Sequence, residues 1–187
     1  NMSVESVSVA GGVMNLNSLI GGVNITKGLS VTGGTLNINS ATHEIVAGGN
    51  IQINGDFTLG GNGTQGAGNV NVAASGPDGF LMQSTLENGN INIDKNITAN
   101  GTADKAYGAT FDAANITVGG NVTTGNNGRI TFGSDASQKL TIAGDVSSGA
   151  NSTLEIYSDD ADVGALTSAG KFLAHGGQIT ATDGVID

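Results

Sequence analysis

Residues 116–124, ITVGGNVTT, contain the pattern that decides the fold. Ile116 and Val118 flank a threonine, a glycine corner follows, and Val122 begins a second short stretch. Alternation at a period of two places Ile116 and Val118 on one face of a strand. Gly and Asn tolerate positive φ, so the corner lets the chain bend while the next strand faces the same interior.

The same nine-residue pattern recurs along the chain. Its copies are VNITKGLSV from Val23, IQINGDFTL from Ile51, INIDKNITA from Ile91, ITVGGNVTT from Ile116 and LTIAGDVSS from Leu140. Simpler strands follow several copies, such as TLNIN from Thr35 and NVNV from Asn69. The apolar positions of the five copies are predicted to stack inside one rod: Val23, Ile25, Leu29, Ile51, Ile53, Phe57, Ile91, Ile93, Ile97, Ile116, Val118, Val122, Leu140, Ile142 and Val146.

These repeats predict an all-β fold, a right-handed parallel β-helix (solenoid) of roughly seven or eight coils with about 24 residues per coil. A single coil cannot bury a core, whereas stacked coils bury a continuous one. An antiparallel β-sandwich, which also has short strands and turns, is the alternative. Residues 1–187 are interpreted as one β-helix segment of a longer secreted protein.

The 40-residue step from Ile51 to Ile91 predicts a short loop excursion near 75–89, and an irregular stretch predicts a second excursion near 100–115. In solenoids such insertions lie on one face and often carry binding. The other interpretation is a coil with a longer turn, its apolar residues packed into the core. Because interfaces draw their energy from bulky anchors, the candidate partner-binding residues are the largest side chains of these stretches: Phe80, Leu81, Met82, Tyr107 and Phe111.

Composition excludes several partners and sites. The net charge of -10 repels phosphate backbones and anionic lipid surfaces, so no nucleic-acid partner is predicted. The chain has no cysteine, which excludes disulfides and thiolate metal sites. No apolar run approaches the roughly 20 residues that span a bilayer, so the chain is not predicted to be membrane-embedded.

Three runs resemble coils of large secreted bacterial adhesins: GGNIQINGDFTLGG, GGVNITKGLSVTGGTLNIN and GDVSSGANSTLEIY. The chain is most similar to filamentous-haemagglutinin-type and high-molecular-weight adhesin exoproteins of two-partner secretion, and autotransporter passengers are also similar. The likeness covers the chain from about Val23 to Leu154. The family's amino-terminal secretion domain carries Asn-Pro motifs, and this chain has none, which implies an internal or distal part of the rod.

The resemblance implies an extracellular or cell-surface rod that an outer-membrane transporter secretes. It also implies attachment to host cells, matrix or sister cells through glycans or proteins. The sequence therefore predicts a non-enzymatic, structural and adhesive segment. A self-assembling surface-layer or biofilm-matrix protein is one alternative, and a carbohydrate-active β-helix enzyme is another. An enzyme would need clustered carboxylates with a basic residue, and we predict no catalytic residue or cofactor site.

One acidic group is a candidate metal site. Asp159, Asp160 and Asp162 supply the oxygen ligands that Ca²⁺ prefers, but their spacing matches no EF-hand loop. A solvated turn is the other interpretation. His43 and His175 are isolated in the sequence and are predicted to be structural or solvated.

Two sets of polar residues are predicted to face outward. A hydroxyl column one position after the corner's apolar residue contains Ser30, Thr58, Thr98, Thr123 and Ser147. Asn-x-Ser/Thr sequons are interpreted either as hydrogen-bonded ladders along the rod or as N-glycosylation sites, since the adhesins resembled here are glycosylated at such sequons. Beyond a sequon at Asn1, the glycosylation candidates are Asn24, Asn62, Asn96, Asn100, Asn115, Asn121 and Asn151.

Overall fold

A computed structural model describes the chain over residues 1–17, 21–39, 41–60, 63–73, 79–100, 107–134 and 139–187. Within these ranges the secondary structure consists of short β-strands joined by tight corners. No helix in the described ranges is long and apolar enough to cross a membrane.

The strands follow one another in threes around the rod. The first three turns contain β1 (Met2–Val4), β2 (Val7–Val9), β3 (Val13–Leu16), β4 (Gly21–Ile25), β5 (Leu29–Val31), β6 (Thr35–Ile38), β7 (Thr42–Ala47), β8 (Ile51–Ile53), β9 (Phe57–Leu59) and β10 (Asn69–Val72). Turns four to seven contain β11 (Phe80–Ser84), β12 (Asn90–Ile93), β13 (Ile97–Ala99), β14 (Tyr107–Asp112), β15 (Asn115–Val118), β16 (Val122–Thr124), β17 (Gly128–Phe132), β18 (Lys139–Ile142), β19 (Val146–Ser148), β20 (Thr153–Tyr157), β21 (Asp160–Val163) and β22 (Leu166–Ser168). An eighth turn begins with β23 (Lys171–His175) and β24 (Gln178–Ala181).

Three parallel sheets form the walls of the rod. Sheet A has the strand order β1-β4-β7-β11-β14-β17-β20-β23, and sheet B has the order β2-β5-β8-β12-β15-β18-β21-β24. Sheet C has the order β22-β19-β16-β13-β9-β10-β6-β3. The predicted parallel β-helix is confirmed, with about seven turns of about 22 residues each, and the antiparallel sandwich is wrong. The hand of the winding stays a prediction.

The core runs unbroken through the stacked turns. All fifteen positions predicted to stack are buried, and Ile51, Ile91, Ile116 and Leu140 lie opposite one another along sheet B. Phenylalanine rings fill the middle of the rod, where the centroid of Phe57 lies 4.9 Å from that of Phe111. Burial of a side chain of this size contributes about 1.5–3 kcal/mol relative to exposure, so the core is the main source of stability.

The copy from Val23 occupies a different corner from the other four. Val23 pairs with Ile45 in sheet A, and Leu29 pairs with Ile51 in sheet B. The other copies turn from sheet B into sheet C, so the predicted alignment of the first copy is wrong by one strand. The reason is that both corners need the same pattern of inward apolar residues and a bend.

The extra residues of the third turn lie earlier than predicted. Residues 80–84 form the regular strand β11, and residues 107–112 form the regular strand β14 of the same sheet. The insertion is instead β10, a second sheet C strand in one turn, between β6 and β9. Residues 75–78 and 101–106 of the predicted excursions lie outside the described residues.

Candidate functional site

The doubled strand gives the rod its most distinctive outer surface. The chain leaves β9, returns along the outside of sheet C through residues 63–68, called the return loop here, and enters β10. Gly68 donates its N–H to the Gly34 carbonyl at 2.9 Å, and Gly66 donates to the Thr35 hydroxyl at 2.5 Å. The loop therefore lies directly against sheet C, and a Cβ at Gly63 would collide with the Asn71 carboxamide.

An uncharged cleft opens beside the return loop. Asn71 donates to the Asn37 side-chain oxygen at 3.1 Å, and Asn37 donates to that of Asn15 at 3.0 Å. Gln65 and Asn37 exchange two longer contacts of 3.4 Å. The cleft has a volume of about 510 Å³, and we call it the carboxamide cleft, lined by Asn17, Asn37, Ile38, Asn39, Gly63, Gln65, Asn71 and Ala73.

A second cleft lies where sheet A turns into sheet B. Residues 85–89 connect β11 to β12, whereas only Ala113 and Ala114 connect the strands of the next turn. The longer corner overhangs the shorter one, and Gln83 donates to the Asp112 carboxylate at 2.8 Å beside the gap. This corner cleft, of about 380 Å³, is lined by Gln83, Ser84, Thr85, Leu86, Glu87, Asn88, Asp112, Ala113, Ala114 and Ser134.

A ladder of side-chain oxygens joins successive turns at the corner between sheets B and C. The Oδ1 of Asn96 accepts the backbone N–H of Asn121 at 2.8 Å, and the Oδ1 of Asn121 accepts that of Asp145 at 2.9 Å. Asp56 and Asn69 play the same part in the third turn, at 2.9 and 2.7 Å. Each bond satisfies a backbone donor that the corner would leave without a sheet partner.

Among the described residues, two sequons, Asn96 and Asn121, belong to the ladder at the corner between sheets B and C. Both remain exposed, as do Asn24 and Asn151, while Asn100 and Asn115 are half-buried. Asn62 lies outside the described residues. Asn1 accepts the backbone N–H of Gly22 at 3.0 Å. Glycosylation of these asparagines stays a prediction.

Three of the five candidate partner-binding residues are core residues. Phe80, Met82 and Phe111 are 1%, 0% and 0% exposed, so they cannot contact a partner of the folded rod. They alternate with outward residues along regular strands, and the prediction that they are surface anchors is wrong. Leu81 faces outward and is half-buried. Tyr107 begins β14 opposite Gly128, and its side chain lies outside the description.

The acidic group of the seventh turn faces an ammonium group. Lys139 Nζ lies 3.4 Å from an oxygen of Asp160 and 3.5 Å from an oxygen of Asp162, while Asp159 is exposed. The hydrogen bond from Lys139 to Asp160, together with the attraction of both carboxylates, raises the pKa of Lys139. Among the described residues, no group of three or more His, Asp or Glu side chains is arranged to hold a metal ion.

The two histidines have different surroundings. His43 is exposed on β7. His175 lies 3.4 Å from Glu155 and stacks on Tyr157 with ring centroids 4.1 Å apart. The Glu155 side chain is only 12% exposed and also lies 3.8 Å from the Arg129 guanidinium. The Glu155 carboxylate therefore lies between two basic side chains on the outer face of sheet A.

The predicted outward column of hydroxyl side chains is present on sheet C. Thr58, Thr98, Thr123 and Ser147 lie opposite one another in successive turns. Ser30 does not belong to this column, because it lies opposite Gln52 in sheet B. On the other side of Thr58 the column continues into Asn71, Asn37 and Asn15, the asparagines at the carboxamide cleft.

Comparison with models of known protein families, with curated proteins and with solved structures found no match to this chain.

Proposed function

We propose that the chain is a structural and adhesive segment of a large bacterial cell-surface or secreted exoprotein, attaching to host cells, matrix or sister cells. The observation that carries this proposal is the continuous core, which holds the outer faces of seven stacked turns in one fixed array. At about 4.8 Å per turn, the array extends roughly 35 Å along the rod. Such a shape presents a long lateral surface to a partner.

The composition of the outer surface supports the same proposal. Small polar side chains line sheet C, and the two clefts lie on the flanks of the rod. The net charge of -10 keeps such a rod soluble at high local density. A secreted rod can therefore project from a cell while its flanks make the contacts.

The test is attachment of beads coated with this chain to epithelial cells and to immobilised matrix proteins. Two variants that each add one carboxylate distinguish the effect of losing the fold from the effect of the added charge. Ile93→Asp places a carboxylate in the core and unfolds the rod, whereas Thr117→Asp places one on the outer face of sheet B. Wild-type and Thr117→Asp beads should attach and Ile93→Asp beads should not. Wild-type attachment no greater than that of uncoated beads would rule out the adhesive role.

A further inference from the structure

The carboxamide cleft is large enough to hold a small ligand. Its volume of about 510 Å³ lies within the usual range of small-molecule sites, about 300–1,000 Å³. One wall of the cleft is sheet C, and the other wall is the return loop. Three hydrogen bonds hold the loop against sheet C, and they involve Gly66, Gly68 and Asn69. The cleft is therefore part of the folded architecture.

The polar groups of the cleft suit hydroxyl ligands. Each carboxamide offers two donor hydrogens and two acceptor lone pairs. The contacts of Asn37 with Asn15 and Asn71 use only part of this capacity. The contacts of Gln65 with Asn37, at 3.4 Å, are long for hydrogen bonds, so a ligand replaces them at small cost. Sugar hydroxyls both donate and accept, which matches such a surface.

The charge and shape of the cleft restrict the chemical class of its ligand further. None of the described lining residues is charged, and the whole chain carries -10, which disfavours anionic sugars. A peptide ligand would need pockets for bulky apolar anchors, and among the described lining residues the only apolar ones are Ala73 and Ile38, whose side chain is buried in the core. Successive asparagines of the column are about 4.8 Å apart, close to the length of one sugar ring.

We propose that the carboxamide cleft binds a neutral oligosaccharide, with Asn37, Asn71 and Gln65 as its hydrogen-bonding residues. The proposal rests on the proposed attachment function and assigns a ligand class to one flank of the rod. Gly63 is the positioning residue, because a Cβ there would displace the Asn71 carboxamide from its place beside the loop.

The experiment is calorimetric titration of the full chain with cellohexaose, chitohexaose and mannohexaose as neutral probes and hexagalacturonate as the anionic probe. At least one neutral probe should bind, and hexagalacturonate should bind more weakly. Gln65→Ala, at an exposed position of the loop, should weaken binding of the neutral probe by about tenfold, as expected for the loss of one or two hydrogen bonds. Gln65→Glu keeps the shape but loses the donors, and should also weaken binding.

The matched control is Gln52→Ala, which removes a carboxamide from the outer face of sheet B and should leave affinity unchanged. The proposal is overturned if no neutral probe binds, if hexagalacturonate binds best, if Gln65→Ala binds as tightly as wild type, or if the probe is shortened during incubation, as an enzyme would do. If the chain attaches to cells or matrix but binds no probe, the assignment of a ligand to the carboxamide cleft is wrong and the attachment function stands. If the chain binds a probe but attaches to no cell or matrix protein, the attachment function is wrong and the ligand assignment stands.

Discussion

The third turn and the turns that follow it use the same corner in two ways. In turns four to six one Asn or Asp per turn bridges to the next turn, as Asn121 does at 2.9 Å. The third turn contains two ladder residues because its sheet C strand is doubled: Asp56 bridges to Asn96 in the fourth turn, and Asn69 bridges to Asp56 within the third turn. Asn69 is 3% exposed, whereas Asn121 is exposed. The ladder therefore extends from the regular turns onto the inserted strand.

The inserted strand also preserves the core. Val70 and Val72 are fully buried and continue the inward columns of sheet C, while the return loop adds a cleft outside. A β-helix can thus accept a whole strand at one position without disturbing its interior. The difference between the third turn and its neighbours therefore changes the outer surface and leaves the packing inside unchanged.

The largest expected effect comes from breaking the core that both regions share. Ile93→Asp buries an uncompensated carboxylate at a fully buried position of β12 and should lower the free energy of unfolding by at least about 3 kcal/mol. Chemical denaturation followed by circular dichroism measures this loss. Thr117→Asp, at an exposed position of the neighbouring strand, should change the value by less than about 0.5 kcal/mol. Equal stability of the two variants would contradict the stacked core.

The ladder residues Asn69 and Asn121 should differ in how much they contribute to stability. Asn69→Ala removes the acceptor of the Asp56 N–H and a donor to the Thr64 carbonyl in a buried setting, so it should cost about 1–3 kcal/mol. Asn121→Ala removes an equivalent acceptor where water can replace it, and should cost about 1 kcal/mol or less. Denaturation of both variants tests the order. A greater loss for Asn121→Ala would show that the regular ladder is the more important of the two.

The smallest expected change is an increase in the free energy of unfolding, and it comes from a substitution in the regular turns. Among the described residues, the buried hydroxyl of Thr124 has no hydrogen-bond partner. Thr124→Val keeps the branched shape and removes the unsatisfied group, so it should raise the free energy of unfolding by about 1 kcal/mol. Thr123→Val, on the outer face of the same strand, is the control and should change little. A destabilised Thr124→Val would indicate that the hydroxyl is satisfied by a bound water.

The sequence was sufficient to predict the parallel β-helix and its core, because inward apolar residues repeat at a period of two between corners. It could not place the copy from Val23, since local pattern does not distinguish one corner of the rod from another. Phe80 and Met82 were misplaced because the segment before them resembles a loop, although Phe80, Met82 and Ser84 alternate as a strand does. The spacing of Asn37 and Asn71 within similar strands was the available signal for the carboxamide cleft, but the glycine-rich segment between them hid their adjacency.

The direction of the bonds between turns has a mechanical consequence. The sheet hydrogen bonds and the oxygen ladder both run along the long axis of the rod. Tension along that axis therefore opens them one turn at a time, because each turn contacts only its neighbours. Every released turn frees about 22 residues, or roughly 70 Å of extended chain, while the rest of the rod stays folded. Under load the rod therefore lengthens in steps of one turn.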